Sequence, residues 1–193
     1  MKIIGITGGI GSGKSTVSKL LDIMGIPVYI ADKEAKKVMN NSPEIRTKLT
    51  QRFGEDIYAG NSLDSQKLAS LIFSEPEAVL YVNSVVHPAV QADFSNWLKN
   101  CSSSIAAIES AILFESGFDS LVHYILSVSA PEEIRIEQAI KRDSSSRQTV
   151  KDRIRNQIPE EERNRRSDFI LINNGRQALV PQTERILNLV EYR

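Results

Sequence analysis

The first segment of chemical interest is a short glycine-rich run near the start of the chain. Residues 8–15 read Gly-Gly-Ile-Gly-Ser-Gly-Lys-Ser and match the phosphate-loop pattern G-x-x-x-x-G-K-[ST] at every position. Glycines let consecutive backbone N–H groups turn inward on a phosphate, and a helix that starts at Lys14 points its positive dipole end at the same place. The lysine can reach the β- and γ-phosphates of a nucleoside triphosphate, while the Ser15 hydroxyl can coordinate Mg²⁺. The predicted nucleotide-binding residues of this loop are Gly9, Gly11, Ser12, Gly13, Lys14, Ser15 and Thr16.

Three acidic side chains could supply the rest of the chemistry. Asp32 follows a predicted strand, so it is a candidate base for a phosphoryl acceptor, although an N-cap for the helix predicted after it explains the residue equally well. Glu109 lies inside the apolar run 105–114, where a carboxylate is costly to bury unless a cation is near. It is either an acid that helps to hold hydrated Mg²⁺ beside Ser15 or a strand-end glutamate that faces solvent. Glu115 is either a substrate contact or an exposed loop acid.

A basic segment and a turn complete the set of candidates. Residues 141–166 hold nine basic and five acidic side chains, a surplus of four positive charges. Most of them fit a solvated helical hairpin, but the segment also fits a lid whose arginines close over phosphates, with Arg142 as the best candidate. The turn at Asn173-Asn174-Gly175 either contacts an adenine through backbone groups, with Asn174 and Gly175 as the candidates, or is an ordinary type I′ turn.

The elements that must position these residues follow from the hydrophobic pattern. Residues 3–7 predict a buried strand, and the apolar residues at i, i+3, i+4 and i+7 from Val17 predict one face of a helix that Gly25 ends. With a second strand at 27–30 they form a βαβ unit and therefore a parallel sheet. Pro88 is expected to break or kink its helix. The other predicted elements are strands at 105–114, 124–128 and 169–172, helices over most of 33–100, a helix opened by a capping box at Ser129 and running to about Arg142, helical structure over 146–166 and a C-terminal helix.

Composition excludes several classes of protein. The 193 residues carry 24 basic and 24 acidic side chains, and the net charge of zero argues against a protein built to hold nucleic acid or an acidic membrane surface. One cysteine excludes an intramolecular disulfide or a CxxC metal site, and two histidines leave little for zinc. No apolar run approaches the ~18 residues of a membrane span, and no signal peptide is recognisable, so we expect a cytoplasmic protein.

The phosphate loop and several later segments together resemble the dephospho-CoA kinase family. Residues 6–15, with the Thr-Gly-Gly-Ile-Gly-Ser form of the loop, are similar to the start of its members, and the resemblance spans nearly the whole chain. The other similar segments are Ala31-Asp32, His87-Pro88, Ile112-Leu113-Phe114-Glu115, Lys141-Arg142-Asp143 with Gln157 downstream, and Asp168-Phe169-Ile170 with Asn173-Asn174-Gly175. The chain departs from the family's pattern at Ile30, Ala111 and Gln138, where members commonly have aspartate, proline and arginine. For the missing arginine, Arg135 or a residue after position 146 is the candidate replacement.

The resemblance implies a reaction and a role for each candidate. The reaction would be transfer of the ATP γ-phosphoryl group to the ribose 3′-hydroxyl of dephospho-CoA, the last step of coenzyme A synthesis. A nucleoside or nucleotide monophosphate kinase and a nucleotide-dependent regulatory ATPase stay open as alternatives; the chain lacks the N-K-x-D motif of a GTPase and the signature of an ABC-type ATPase. The implied catalytic residues are Asp32 as general base, with Lys14 and Arg142 neutralising the phosphoryl charge. The implied metal residues are Ser15, which would bind Mg²⁺, and Glu109, which would help to hold the ion through its water ligands. The implied substrate contacts are Asp32, His87 and Glu115.

The architecture expected with this reaction is an α/β fold, a three-layer P-loop NTPase with a central parallel sheet, a helical substrate-binding insertion and a helical lid. The chain, 1–193, would form a single kinase domain. Its nucleotide-binding core would comprise 1–32, 101–130 and 167–193, its substrate-binding region 33–100 and its lid 131–166. ATP and Mg²⁺ would be the cofactors and dephospho-CoA the substrate, without a nucleic-acid or membrane partner, in a monomer or weak homo-oligomer.

Overall fold

The computed structural model of the chain describes residues 1–72 and 75–192. Two compact units are present, one formed by Met1–Tyr29 with Cys101–Arg193 and the other by Ile30–Asn100. The strands are β1 (Lys2–Gly8), β2 (Val28–Ile30), β3 (Tyr58–Ala59), β4 (Ser62–Leu63), β5 (Ile105–Glu109), β6 (Tyr124–Ser129) and β7 (Phe169–Ile172). The α-helices are α1 (Lys14–Ile23), α2 (Ala31–Asn41), α3 (Pro43–Phe53), α4 (Ser65–Ile72), α5 (Pro76–Lys99), α6 (Glu132–Asp143), α7 (Arg147–Arg155), α8 (Glu160–Arg165) and α9 (Leu179–Tyr192).

A five-stranded parallel sheet in the order β2-β5-β1-β6-β7 organises the first unit. Strand β1 lies at its centre and is paired in parallel with β5 on one side and β6 on the other. Because both neighbours of β1 run parallel to it, their carboxyl ends meet at one edge, and that edge is where ligands gather in sheets of this kind. The predicted α/β class with a central parallel sheet and flanking helices is confirmed.

The core of the first unit is formed by alternate residues of the strands packed against helices α1 and α9. The two strand residues Ile4 and Ile6 are completely buried, whereas Gly5 between them points to the opposite side, where an added Cβ would meet Leu113. The buried cluster on the α1 and α9 side includes Ile4, Ile6, Val17, Leu21, Leu126, Val128, Leu171, Ile186 and Val190. Burial of these side chains fixes both ends of the loop that joins β1 to α1.

Helix α1 ends as its sequence predicts. Gly25 has a left-handed φ of 83°, and its N–H group donates to the carbonyl of Asp22 while the next residue, Ile26, donates to the carbonyl of Leu21. This pair of hydrogen bonds is the Schellman arrangement, which favours glycine because a Cβ strains a left-handed backbone. The chain therefore turns sharply into β2.

Three local predictions differ from the structure. The strand predicted at 105–114 ends at Glu109, and the apolar residues after it form turns. The capping box predicted at Ser129 is wrong, because Pro131 is the N-cap of α6 and the Ser129 hydroxyl donates to Glu160. Helix α5 continues through Pro88, so the expected break is wrong and the alternative of a kink stays a prediction. The helical structure predicted over 146–166 is confirmed, as the two short helices α7 and α8.

The second unit is helical, with one short hairpin formed by β3 and β4. Its core contains Ile45 and Leu49 from α3 together with Ile57 and Tyr58, and partly buried residues of α2 and α5 pack against them. Within the two described ranges, no helix has the length and apolar character that crossing a membrane requires.

The half-buried position of His87 on α5 gives a pH-dependent expectation. Burial lowers the pKa of His87 below its ordinary 6.5, because the charged imidazolium loses water. Near and below pH 6.5, His87 is protonated more often in the unfolded chain than in the folded chain. The free energy of unfolding therefore falls as the pH falls through this range. Urea unfolding, followed by the fluorescence of Trp97 on the same helix, should show a smaller loss between about pH 7.5 and about pH 5 in His87→Gln than in the wild type. Equal losses in the two proteins would contradict this role.

Candidate active site

The phosphate loop joins the central strand β1 to helix α1. Gly13, the N-cap of α1, has a left-handed φ of 95° and offers no side chain as a cap. The first turn of α1 reads Lys-Ser-Thr-Val and so brings no acidic side chain to the positive end of the helix dipole. The positive end of the helix dipole is therefore not neutralised by a side chain of this turn, which suits an anion.

A cavity of about 310 Å³ lies between the loop and helix α6. Five of the predicted nucleotide-binding residues line it, together with Arg142, which was predicted to neutralise phosphoryl charge. Its cations come both from the start of α1 and from α6. The lining residues are Gly11, Gly13, Lys14, Ser15, Thr16, Gln138, Lys141 and Arg142. Gly9 and Ser12, the other two predicted residues of the loop, belong to its backbone frame and are not among the lining residues. A cavity with backbone amides on one wall and cations on two walls suits a polyphosphate.

Lys14 is held by the loop that it follows. Its Nζ atom donates to the carbonyl oxygen of Gly8 at 2.8 Å and to that of Gly9 at 3.3 Å. The ammonium group is thus kept at the loop rather than in open solvent, within the cavity that it lines. Lysine carries its charge on a flexible four-carbon side chain, so such contacts can be exchanged for other oxygen acceptors.

Ser15 and Glu109 meet beside the loop. The Ser15 hydroxyl donates to Oε1 of Glu109 at 3.3 Å, and Glu109 is the last residue of β5, paired in register with Ile6 of β1. Only 8% of Glu109 is exposed, so the alternative of a strand-end glutamate that faces solvent is wrong. A hydroxyl and a carboxylate are the hard oxygen donors that Mg²⁺ prefers, so the two residues fit the ion.

Arg142 reaches the cavity from the last turn of α6, where Lys141 also lies. Its Nε and Nη2 atoms donate to the two carboxylate oxygens of Asp143 at 2.7 and 2.9 Å, and Arg153 contacts the same carboxylate at 3.2 Å. The hydrogen bonds from Arg142 hold the pKa of Asp143 below its usual range, although partial burial opposes them. The lowered pKa favours the charged form of Asp143, which accepts both hydrogen bonds from the guanidinium group.

Three side chains from later in the chain hold the backbone of the loop, a role that the sequence did not predict for any of them. Nε of Arg135 donates to the carbonyl of Ile10 at 3.2 Å, and Oε1 of Gln157 accepts the N–H of the same residue at 2.9 Å. Nδ2 of Asn173 donates to the carbonyl of Ser12 at 2.8 Å. Arg135 thus supports the loop and is not among the residues that line the cavity. For Arg135 the available signal was its place in the buried face of α6, beside Ile136 and Ala139.

The remaining candidates of the first unit make local contacts. Oε1 of the exposed Glu115 accepts the N–H of Ile158 at 3.3 Å. The side chain of Asn174 accepts the N–H groups of Arg176 and Gln177 at 3.0 and 3.1 Å, which orders the loop after β7, and Gly175 has a left-handed φ of 74°. Neither Asn174 nor Gly175 is among the residues that line the cavity at the phosphate loop.

Asp32 and His87 belong to the second unit. Asp32 is exposed and is the second residue of α2, which follows β2 directly. The N-cap of α2 is Ile30, so the alternative in which Asp32 caps this helix is wrong. His87 is half-buried within α5.

Comparison with known proteins shows which family the chain belongs to. The family model described as dephospho-CoA kinase matches residues 2–178. The chain is 45% identical to the dephospho-CoA kinase of Bacteroides fragilis strain YCH46 over 191 residues, which cover 98% of this chain and 91% of that protein. It is also 45% identical to the dephospho-CoA kinase of Porphyromonas gingivalis over 191 residues, covering 98% and 95%. The crystal structure of TT1252 from Thermus thermophilus superimposes with a TM-score of 0.85 at 38% identity and covers 99% of this chain and 96% of its own.

The match to the family model and the matches to the two relatives span nearly all of the chain, including the phosphate loop, Glu109 and Arg142. The resemblance inferred from the sequence is confirmed, and the chain belongs to the dephospho-CoA kinase family.

Proposed function

We propose that this member of the family transfers the γ-phosphoryl group of ATP to the ribose 3′-hydroxyl of dephospho-CoA by a single in-line displacement. A new bond forms between the 3′-oxygen and the γ-phosphorus, the bond from that phosphorus to ADP breaks, and the hydroxyl proton passes to a base. The observation that carries the proposal is the cavity at the phosphate loop, with Lys14, Lys141 and Arg142 around it. Phosphoryl transfer needs positioning and positive charge more than covalent chemistry, and both are available there.

The phosphate loop and α6 bind the phosphates of ATP. The loop amides and the N-terminus of α1 bind the β-phosphate, and Lys14 exchanges its contacts with the loop carbonyls for phosphate oxygens. Arg142 stabilises the charge on the transferring group, with its direction set by Asp143. Asn174 and Gly175 contact the adenine.

Asp32 acts on the acceptor hydroxyl. Its carboxylate takes the proton of the 3′-hydroxyl as that oxygen attacks, which is the role of the base in kinases. Two observations support this assignment. Asp32 lies two residues after the carboxyl end of β2, and it is exposed in the first turn of α2 without serving as its cap. His87 and Glu115 bind other parts of dephospho-CoA.

Mg²⁺ would be held by Ser15 and Glu109, which supply two of its oxygen ligands directly or through water. When bound, the ion neutralises charge on the phosphates. Its protein partners would then be few, which suits an ion that usually keeps several waters and binds substrate phosphates. Ser15 and Glu109 are brought together by the pairing of β1 with β5, so the ion would sit at the centre of the sheet edge.

The division of the chain stays a proposal as well. The nucleotide-binding core would comprise 1–32, 101–130 and 167–193, the substrate-binding region 33–100 and the lid 131–166. A lid is useful because it excludes water, which would otherwise accept the phosphoryl group. A cytoplasmic location, the absence of a nucleic-acid partner and a monomer or weak homo-oligomer also stay predictions.

Acceptor specificity tests the reaction. ADP release should rise well above the ATP-only background when dephospho-CoA is added, and nucleosides and nucleoside monophosphates should leave it at that background. ³¹P NMR of the product should place the new phosphate on the 3′-oxygen. Stimulation by a nucleoside instead of dephospho-CoA would contradict the proposal, and so would normal turnover by Lys14→Ala.

The base is tested by Asp32→Asn. This variant should lower kcat by roughly 10²-fold or more, in line with general-base contributions, and leave the Kd of ATP unchanged. Glu77→Gln is a matched control because Glu77 is also exposed at the second position of a helix, α5, and its kcat should stay at the wild-type value. A near-normal kcat for Asp32→Asn would remove Asp32 from the chemistry.

The Mg²⁺ assignment is tested by Glu109→Gln. Loss of the carboxylate should raise the Mg²⁺ concentration for half-maximal activity by roughly ten- to a hundredfold, the usual effect of losing a partner of a bound metal. The affinity of the protein for Mg²⁺-ADP, measured by calorimetry, should fall in parallel. Glu137→Gln, an exposed residue of α6, is the control. An unchanged Mg²⁺ requirement in Glu109→Gln would contradict the assignment.

A further inference from the structure

Two carbonyl groups of the phosphate loop are held by side chains from distant parts of the chain. Arg135 in α6 donates to the carbonyl of Ile10 at 3.2 Å, and Asn173, which directly follows β7, donates to the carbonyl of Ser12 at 2.8 Å. The two donors come from 125 and 161 residues away in sequence. They act on alternate peptide groups of the loop.

Peptide geometry converts these contacts into directions for the loop amides. In a planar trans peptide the C=O and the N–H of the following residue point in opposite directions. A carbonyl of Ile10 held toward Arg135 therefore turns the N–H of Gly11 away from that arginine. In the same way, a carbonyl of Ser12 held by its partner turns the N–H of Gly13 to the opposite side. Gly11 and Gly13 are the two loop glycines that line the cavity.

The glycines of the loop leave the space that these two side chains occupy. A Cβ added to Gly9 would lie 2.1 Å from Nη2 of Arg135, and one added to Gly13 would lie 2.3 Å from Nδ2 of Asn173. A Cβ on Gly11 would lie 1.9 Å from the backbone oxygen of Arg135. Small residues at these positions thus serve the contacts with Arg135 and Asn173 as well as the turn of the backbone.

Arg135 is itself firmly placed. Only 4% of it is exposed, and its Nη1 atom forms an ion pair with Oε2 of Glu160 at 2.8 Å. Glu160 also accepts the hydroxyl of Ser129 at the end of β6. Burying a guanidinium group costs free energy unless the group is paired and hydrogen-bonded. This one donates to the carboxylate of Glu160 and to the carbonyl of Ile10.

We propose that Arg135 and Asn173 are positioning residues, each of which aims one amide of the phosphate loop at the phosphates of ATP. Neither side chain touches the nucleotide; each acts through a backbone carbonyl. The inference rests on the proposed function only in placing a polyphosphate in the cavity. It does not depend on the acceptor or on the base.

The test is an NMR titration of ¹⁵N-labelled protein with Mg²⁺-ATP in the absence of dephospho-CoA. Hydrogen bonds to phosphate should shift the amide signals of Gly11 and Gly13 in the wild type. Arg135→Lys keeps the charge that faces Glu160 but lacks the Nε donor, so it should lose the Gly11 shift and keep the Gly13 shift. Asn173→Ala should show the reverse pattern.

Each variant should also raise the Kd of ATP by about tenfold, the usual effect of losing one hydrogen bond to a charged group. The controls are exposed residues of the same types: Arg147→Lys, from the first turn of α7, and Asn188→Ala, from α9. Both should give wild-type shifts and affinity. If Arg135→Lys does not fold, Glu160→Gln replaces it, because it removes the ion pair that holds the guanidinium and should weaken the Gly11 shift selectively.

The proposal is overturned if Gly11 and Gly13 respond in both variants as they do in the wild type, with an unchanged Kd for ATP. It is equally overturned if each variant loses both shifts together with a lower melting temperature, because that pattern indicates a structural role without direction. The titration contains no acceptor, so a failure of dephospho-CoA to stimulate turnover contradicts the proposed function and leaves this result to be judged separately.

Discussion

The planar geometry of the peptide group in the phosphate loop is the constraint on which the site depends. An amide can face a phosphate only if the carbonyl before it faces the other way, and an outward carbonyl in a buried loop needs a donor. Arg135 and Asn173 provide donors for two such carbonyls, those of Ile10 and Ser12, and Gln157 accepts the N–H of Ile10. Side chains from outside the loop therefore hold its backbone conformation, so that we expect the backbone to change little when a nucleotide binds.

The positively charged side chains near the loop form two groups, one that lines the cavity and one that is buried. The total is neutral, yet the cavity gathers Lys14, Lys141 and Arg142 at one place. A second group of charged residues is buried behind the loop. It includes Arg135 and Arg163, and burial, then the nearby charge of Arg135, lowers the pKa of Arg163. Lys14, Lys141 and Arg142 line the cavity, whereas Arg135 and Arg163 donate to backbone carbonyls.

The sequence alone predicts the parts of the site that are local. The pattern of residues 8–15 and the apolar spacing that begins at Val17 describe a strand, a loop and a helix that are contiguous in the chain, and the structure contains them. Glu109 is also predictable, because a lone carboxylate in an apolar run needs a partner. The supports of the loop come from 125 to 161 residues away, and such contacts exist only once the sheet order and the position of α6 are known.

The predictions that failed have related physical causes. An apolar run does not distinguish a buried strand from a buried turn, so the strand that ends at Glu109 was expected to reach residue 114, although Leu113 and Phe114 are buried in turns. For Asp32, the alternative of an N-cap is excluded because β2 passes directly into α2 and the helix begins before the aspartate. Residue type alone does not locate the start of a helix.

A crystal structure with a non-hydrolysable ATP analogue and Mg²⁺ tests the account most directly. We expect the nitrogen atoms of Gly11 and Gly13 to lie about 3 Å from phosphate oxygens, the distance of an N–H···O hydrogen bond. The carbonyls of Ile10 and Ser12 should stay on their present donors. A bound triphosphate with either carbonyl turned into the cavity, and its contact with Arg135 or Asn173 broken, would contradict the account.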